Sequence, residues 1–109
     1  MSEYVQVQTA VPSREEGMRI ARSAVEARLA ACAQVVGPIT STYRWKGAVH
    51  VDEEYLLLLK TPASRYADLE KNIHEQHSYD VAEIISVPVN AGLRAYLTWM
   101  DEETKAPDA

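Results

Sequence analysis

Apolar and polar positions at the start of the chain follow the pattern of a strand and then of a helix. Between Glu3 and Thr9, valines alternate with glutamines, which is the period of a half-buried strand. A proline ends this strand, and Ser13 with Glu16 three residues later forms a capping-box pattern. Apolar residues then recur at spacings of three and four, which predicts a first helix that ends near Ala30.

A long β-hairpin is predicted next. Residues 35–45 are rich in β-branched and aromatic side chains, a Lys-Gly pair suits a tight turn, and residues 48–60 supply the returning arm. Pro38 favours an edge position or a bulge, because proline cannot donate to a central ladder. Residues 56–59 are four leucines, so both faces of this part of the strand are apolar and both require cover.

The second half of the chain predicts a helix, a strand and another helix. Thr61 and Pro62 suit the start of a second helix that ends near residues 74–77. A fourth strand is predicted from Glu83 to Val89, because this stretch is rich in β-branched residues. Apolar residues within 93–100 then mark a short third helix, and a polar tail follows it.

The predicted order is therefore βαββαβ followed by one more helix. This is a ferredoxin-like sandwich of the α+β class, in which two right-handed crossovers place both long helices on one face of a four-stranded antiparallel sheet. We expect one domain over residues 1–109, with its core at about residues 3–103 and a polar C-terminal tail. Only the third helix or another subunit is left to cover the second face of the sheet, so self-association is expected.

Composition and charge argue against some classes of partner. The 109 residues carry a net charge of -5 with scattered basic side chains, which argues against nucleic acid as a partner. Apolar runs such as Leu56 to Leu59 are too short to span a membrane. The single cysteine, Cys32, fits a reducing compartment, and the N-terminus lacks a basic segment followed by an apolar one. We therefore expect a cytoplasmic protein with no membrane partner.

Candidate chemistry is sparse in this sequence. It has no glycine-rich phosphate loop, no GxSxG elbow and no HExxH motif, so no enzymatic role is predicted. His74 and His77 are three residues apart and could place two imidazoles near one ion, although capping of the helix end is the favoured interpretation. Cys32 is expected to be a buried, unreactive thiol, because no cation is adjacent to it in the sequence.

Several segments together resemble the CutA divalent-cation tolerance family, in order and at similar intervals from Val5 to Met100. They are Arg28-Leu29-Ala30-Ala31-Cys32, Ser41-Thr42-Tyr43-Arg44-Trp45-Lys46-Gly47, Glu54 with Leu58-Leu59-Lys60-Thr61, His77-Ser78-Tyr79, Glu83-Ile84-Ile85 and Tyr96-Leu97-Thr98-Trp99. The resemblance implies a homotrimer similar in shape to the PII signalling proteins, with hairpin arms packed between neighbours. It also implies a role in the response to copper and other divalent cations, without an established reaction.

The chain departs from the family pattern at positions associated with copper. Members with a proposed copper site tend to carry a cysteine three residues before the proline that follows the first strand, and a pair of histidines before Pro-Tyr. This chain has Thr9 at the cysteine position and Gln76 before His77, so only one of the histidines remains. We therefore expect no thiolate site for Cu(I), and at most an imidazole and carboxylate site for Cu(II) or another divalent cation.

The polar and aromatic members of these segments form the candidate site. We expect an intersubunit pocket for a metal ion or small ligand, lined by Tyr43, Trp45, Glu54, Lys60, Tyr79 and Glu83. His77 and Glu83 are the predicted metal ligands. An equally weighted alternative is that Glu54 and Lys60 pair and the tyrosines only pack. A structural or PII-like signalling or anchoring oligomer with no direct metal role also stays open.

Overall fold

The computed structural model describes residues 3–106, and within them it has four strands and three helices. In chain order these are β1 (Tyr4–Val11), α1 (Arg14–Glu26), β2 (Cys32–Trp45), β3 (Ala48–Pro62), α2 (Tyr66–Gln76), β4 (Ile85–Pro88) and α3 (Arg94–Glu103), with a 3-10 turn at Ala63–Arg65 before α2. The strands form one antiparallel sheet in the order β2-β3-β1-β4. The predicted α+β, ferredoxin-like order is confirmed. The end of the predicted polar tail lies outside the described residues.

Helix α1 begins as predicted and ends about four residues earlier than predicted. The Ser13 hydroxyl accepts a 3.1 Å hydrogen bond from the backbone N–H of Glu16, which caps the first turn. The helix ends at Glu26, because Arg28 takes a positive φ of 60° and the next two N–H groups turn back to the carbonyl of Ala24. No glycine or asparagine stands at this turn, so the usual sequence signal of a helix end is missing.

The core lies between the sheet and helices α1 and α2. Alternate residues of β1 and β3 point towards these helices, and Val7, Leu57 and Leu59 are fully buried there. Their fully buried partners on the two helices are Ile20, Leu69 and Ile73. Burial of each such side chain stabilises the fold by about 1.5–3 kcal/mol. The core therefore holds β1 firmly, and the C-terminal end of β1 lies at the candidate site.

Strands β2 and β3 form a hairpin that extends beyond the rest of the sheet. The pairing of β3 with β1 begins at Tyr55, whereas the pairing of β2 with β3 also covers residues 39–54. We refer to residues 39–54 as the hairpin arm. The bulge predicted at Pro38 is present as a register shift between Val36 and Ile39.

The second face of the sheet, opposite α1 and α2, is partly covered by α3. The hydroxyl of Tyr96 lies 3.3 Å from Sγ of Cys32, and Met100 is buried. Cys32 is half-buried, not fully buried as expected, because it points to this incompletely covered face. On the same face, three apolar residues remain 41–47% exposed: Val36, Ile85 and Val87. The two-sided cover predicted for this sheet is incomplete in one chain.

Strand β4 is shorter than the predicted stretch from Glu83 to Val89. It pairs with β1 only over Ile85–Pro88, so the residues before it belong to a connection that we call loop 77–84. This loop follows α2 directly, which brings it to the end of β1 and to the base of the hairpin arm. No helix in the described part of the chain is long and apolar enough to cross a membrane.

Candidate functional site

A cleft opens between the hairpin arm and loop 77–84. It has a volume of about 640 Å³, and its walls come from both strands of the arm, from loop 77–84 and from the end of β1. Every predicted ligand-binding residue except Lys60 lines it: Tyr43, Trp45, Glu54, Tyr79 and Glu83. Volumes of this size are typical of small-ligand pockets. The cleft is therefore the candidate site.

Glu54 is the most buried carboxylate of the cleft. It is only 7% exposed, and its Oε2 accepts a 2.8 Å hydrogen bond from the Tyr79 hydroxyl. Burial, together with this hydrogen bond to Glu54, raises the pKa of Tyr79 well above the usual value of 10, so the phenol remains a donor. Among the described residues, no group donates to the other oxygen, Oε1. One oxygen of a nearly buried carboxylate is thus available to a ligand.

Two aromatic rings of the hairpin arm also line the cleft. Tyr43 donates a hydrogen bond to Asp52, and this bond together with desolvation raises the pKa of Tyr43. The Tyr43 ring also stacks on the His50 ring, with 5.5 Å between their centroids. Trp45 has the ammonium of Lys46 at 5.9 Å from its ring centroid. Both rings are nevertheless open to solvent, with Tyr43 42% and Trp45 45% exposed. They offer apolar and π surface on the arm side of the cleft.

His77, a predicted metal ligand, has a fully buried side chain beneath the cleft. Its Nε2 donates to the carbonyl of Ala10 at 2.9 Å and lies 3.1 Å from the hydroxyl of Thr9. Its Nδ1 accepts a 3.1 Å hydrogen bond from the backbone N–H of Tyr79. Because a carbonyl only accepts and an N–H only donates, these partners fix a neutral ring with its proton on Nε2. Both nitrogens are therefore used to attach loop 77–84 to β1.

Glu16 holds the same loop from the side of α1, a role that the sequence analysis missed. Its carboxylate accepts hydrogen bonds from the backbone N–H and from the hydroxyl of Ser78, each at 3.0 Å. The same oxygen lies 3.7 Å from Nδ1 of His77. The capping-box pattern predicts instead that the Glu16 side chain bonds the backbone at the start of its own helix. Its contact with Ser78 spans 62 residues, and no local pattern signals such a pair.

Glu83 and Lys60 do not share one site. Glu83 lines the cleft, and its carboxylate accepts a 3.1 Å hydrogen bond from the side-chain amide of Gln8. Lys60 donates to the side-chain oxygen of Gln34 and lies outside the cleft. Along β3 it is separated from Glu54 by six residues, a rise of about 20 Å. This distance excludes a contact between Lys60 and Glu54 within one chain.

The predicted metal pair of His77 and Glu83 does not fit this geometry, since His77 has no free ring nitrogen. His74, the other candidate imidazole, is exposed in the last turn of α2. In the described part of the chain, no three His, Cys, Asp or Glu side chains converge as metal ligands. The charged groups that line the cleft are Glu54, Asp80 and Glu83, and all of them offer oxygen.

Comparisons with known proteins identify relatives over nearly the whole chain. A profile of the CutA1 divalent ion tolerance protein family matches residues 5–103. The divalent-cation tolerance protein CutA of Thermus thermophilus is 45% identical over 94 residues, which are 86% of this chain and 91% of that protein. The solved structure of the divalent cation tolerance protein Cut A1 from Thermus thermophilus has a TM-score of 0.91 at 42% identity and covers 94% of this chain and 99% of its own.

The relatives differ in length and in compartment. Protein CutA, chloroplastic, of Arabidopsis thaliana is 40% identical over 91% of this chain, but this chain spans only 54% of the length of that protein. The CutA structure from Archaeoglobus fulgidus, with a TM-score of 0.91 at 31% identity over 94% of this chain and 99% of its own, is named periplasmic. These two names contradict the expected cytoplasmic location. A lone cysteine does not decide the compartment of such a domain.

The sequence segments, the strand order and the relatives all indicate the same family. The names of the family and of the Thermus thermophilus protein describe tolerance of divalent cations and state no reaction. The resemblance seen in the sequence is confirmed, and the chain belongs to the CutA1 divalent ion tolerance protein family.

Proposed function

We propose that this protein contributes to divalent-cation tolerance as a homotrimer that binds a cation in the cleft beside Glu54. The observation that carries the proposal is the Glu54 carboxylate, which is 7% exposed and has one oxygen without a donor in a cleft of about 640 Å³. The oxygen without a donor still reaches solvent, because it is not among the buried side-chain atoms that lack a partner in the described residues. A carboxylate that is mostly withdrawn from water is stabilised by an opposite charge or by further hydrogen bonds. A bound cation supplies that compensation. The proposed role is binding, not catalysis.

The homotrimer is supported by apolar surface that one chain leaves open. Val36, Ile85 and Val87 are exposed on the second face of the sheet, and Val49 and Val51 of the hairpin arm are 61% and 62% exposed. Strands β2 and β4 are also edge strands, and a closed ring of subunits pairs or covers such edges. We propose a PII-like ring with hairpin arms between neighbours, in which the cleft lies at a subunit interface.

The donor set of the cleft changes which metal ion is expected. Carboxylate oxygens suit Mg(II), Ca(II) and Mn(II), whereas copper and zinc are favoured by imidazole or thiolate ligands. The Cu(II) hypothesis depends on an imidazole, and His77 uses both nitrogens elsewhere. When a metal ion is the bound cation, Glu54 and Glu83 are its proposed ligands, with water or a neighbouring chain completing the shell.

Titration calorimetry with Mn(II), Zn(II) and Cu(II) tests the proposal. Glu54→Gln removes the charge and keeps the shape, and its expected effect is at least tenfold weaker binding. Glu53→Gln is the matched control, because Glu53 is the neighbouring, exposed residue of the same strand, and its expected effect is less than twofold. Unchanged binding in Glu54→Gln, or no binding of any of the three ions by the wild type, would contradict the proposal.

A structural or PII-like signalling or anchoring oligomer is the second candidate. It is favoured by the exposed apolar residues of the hairpin arm, which include Trp45, Val49 and Val51 and which suit a protein partner. Sedimentation velocity distinguishes the two candidates when it is combined with the titrations. An intact trimer that binds no cation would favour this second role.

A further inference from the structure

We propose that His77 and Glu16 form a proton-controlled switch that sets how firmly loop 77–84 is attached. Protonation of the His77 ring at Nδ1 turns this nitrogen from the acceptor of the Tyr79 N–H into a donor to the Glu16 carboxylate. Tyr79 then loses its backbone anchor. Because the Tyr79 hydroxyl donates to Glu54, the switch regulates the cation site, and in that respect the inference rests on the proposed function.

The neutral state of the switch is held by the two nitrogens of one ring. Nε2 of His77 donates to the carbonyl of Ala10 at 2.9 Å, and Nδ1 accepts from the N–H of Tyr79 at 3.1 Å. The His77 side chain is fully buried by its own chain, so these contacts do not depend on a partner subunit. A positive charge on this ring therefore requires a compensating group within the protein.

Glu16 supplies that compensating group. Its Oε2 lies 3.7 Å from Nδ1 of His77, and the residue is only 7% exposed, so little water screens the two groups from each other. A contraction of about 0.8–1.0 Å brings this pair to the length of a charge-assisted hydrogen bond. The same oxygen accepts from the N–H and the hydroxyl of Ser78, which hold it beside the ring.

Nδ1 of His77 cannot serve both of its neighbours at once. An imidazolium ion donates from both nitrogens, so a proton on Nδ1 points at the N–H of Tyr79 and breaks that hydrogen bond. The bond to Ala10 is kept, because Nε2 carries its proton in both states. Protonation thus keeps the ring on β1 and the loop on Ser78, and it releases the loop at Tyr79.

The other groups around the ring do not replace Glu16. The Tyr79 ring lies 5.1 Å from the His77 ring between centroids, and burial raises the pKa of Tyr79 well above 10, so this phenol stays neutral. Arg19 of α1 donates to the last carbonyl of α2 at 3.3 Å, where its charge disfavours a second cation. His74 offers its backbone carbonyl, and its side chain is exposed. Strand β1 contributes neutral groups to the ring nitrogens.

Amide hydrogen exchange without added metal ions tests the switch at about pH 7.5 and pH 5.5, within the range in which histidines change charge. Exchange is expressed as a protection factor, which removes the intrinsic effect of pH. Protection of the Tyr79 amide is expected to fall at least about fivefold on acidification. Protection of the Val7 amide, in the core, is expected to change by less than about twofold. Nuclear magnetic resonance of the His77 ring should show both nitrogens protonated at the lower pH.

Two variants assign the response to this pair. His77→Asn keeps an acceptor oxygen close to the place of Nδ1 and does not titrate, and Glu16→Gln removes the charge while it keeps the size. In both variants, acidification is expected to change protection of the Tyr79 amide by less than about twofold. His74→Ala and Glu15→Gln are the matched controls, because both residues are exposed on the same two helices, and they should keep the full response.

The outcomes separate this inference from the proposed function. Unchanged protection of the Tyr79 amide, or a His77 ring that stays neutral at the lower pH, overturns the switch. A full response in His77→Asn or in Glu16→Gln overturns its assignment to this pair, and an equal loss at Val7 overturns a local release. Because no cation is added, failure of the switch leaves the proposed cation site standing, and failure of the calorimetric titrations leaves the switch standing.

Discussion

Replacement of His77 by alanine tests whether this residue builds the site or binds a ligand in it. The imidazole is fully buried and joins two parts of the fold, because it donates to the carbonyl of Ala10 and accepts from the N–H of Tyr79. His77→Ala leaves both groups without these partners and removes a buried ring. We expect a less stable protein in which loop 77–84 is less firmly attached.

The size of this effect follows from the two groups that lose their partners. An unsatisfied buried donor or acceptor costs about 1–3 kcal/mol. Ala10 is 8% exposed, so its carbonyl is poorly reached by water, whereas the N–H of Tyr79 is in an exposed segment where water can replace its partner. The Ala10 side therefore dominates, and the free energy of unfolding is expected to fall by about 2–4 kcal/mol in total.

Urea denaturation at a fixed protein concentration measures this change, since assembly makes stability depend on concentration. His74→Ala is the matched control, because His74 is exposed in the same helix and its loss is expected to cost at most about 0.5 kcal/mol. A His77→Ala protein as stable as the His74→Ala protein would refute the structural role of His77. Hydrogen exchange at the Tyr79 amide, which should become faster only in His77→Ala, locates the effect.

Three further predictions follow from single contacts. Tyr79→Phe removes the donor to the nearly buried Glu54 carboxylate and should lower the free energy of unfolding by about 2 kcal/mol; urea denaturation showing no loss would contradict that hydrogen bond. Gly37→Ala should cost about 1–3 kcal/mol, because the new Cβ would meet Cδ2 of Tyr55 at 2.6 Å; an unchanged melting temperature would contradict this close approach. Burial and the Glu70 carboxylate raise the pKa of Tyr66 to about 12, so its contribution to stability is complete below pH 10 and is lost between pH 10 and 12. The difference between titrations of the wild type and of Tyr66→Phe at 295 nm isolates Tyr66 from the other five tyrosines, and ionisation of Tyr66 near pH 10 would contradict this.

Local patterns predicted the fold well because its elements follow simple periods. The alternating residues of β1 and the helical spacing of α1 indicate which side chains face the core, and the structure places them there. The end of α1 was predicted incorrectly because Arg28 adopts a left-handed backbone conformation. Glycine or asparagine usually marks such a position in a sequence, and arginine does not. The length of β4 was missed because its pairing with β1 is a tertiary property.

The site was only partly predictable from the sequence. The family-like segments suggested Tyr43, Glu54 and Tyr79, and the fold brings these residues to one cleft. Lys60 belonged to the same segments, yet the rise along a strand carries it about 20 Å from Glu54. The hydrogen bond that occupies Nε2 of His77 is made to the carbonyl of Ala10, which is 67 residues away along the chain. Separations and contacts of this kind can be identified only in the folded structure.

The central claim is that Glu54 holds a cation in the cleft while His77 remains a structural residue. Nuclear magnetic resonance of ¹⁵N-labelled protein tests it most directly, with Ca(II) added in a titration, because this diamagnetic ion suits carboxylate oxygens. We predict that Ca(II) shifts the amides of Tyr43, Glu54 and Tyr79, and that the Nε2–H of His77 keeps its hydrogen bond to Ala10. Shifts that centre on the His77 ring, or a cleft whose amides do not shift, would contradict the account.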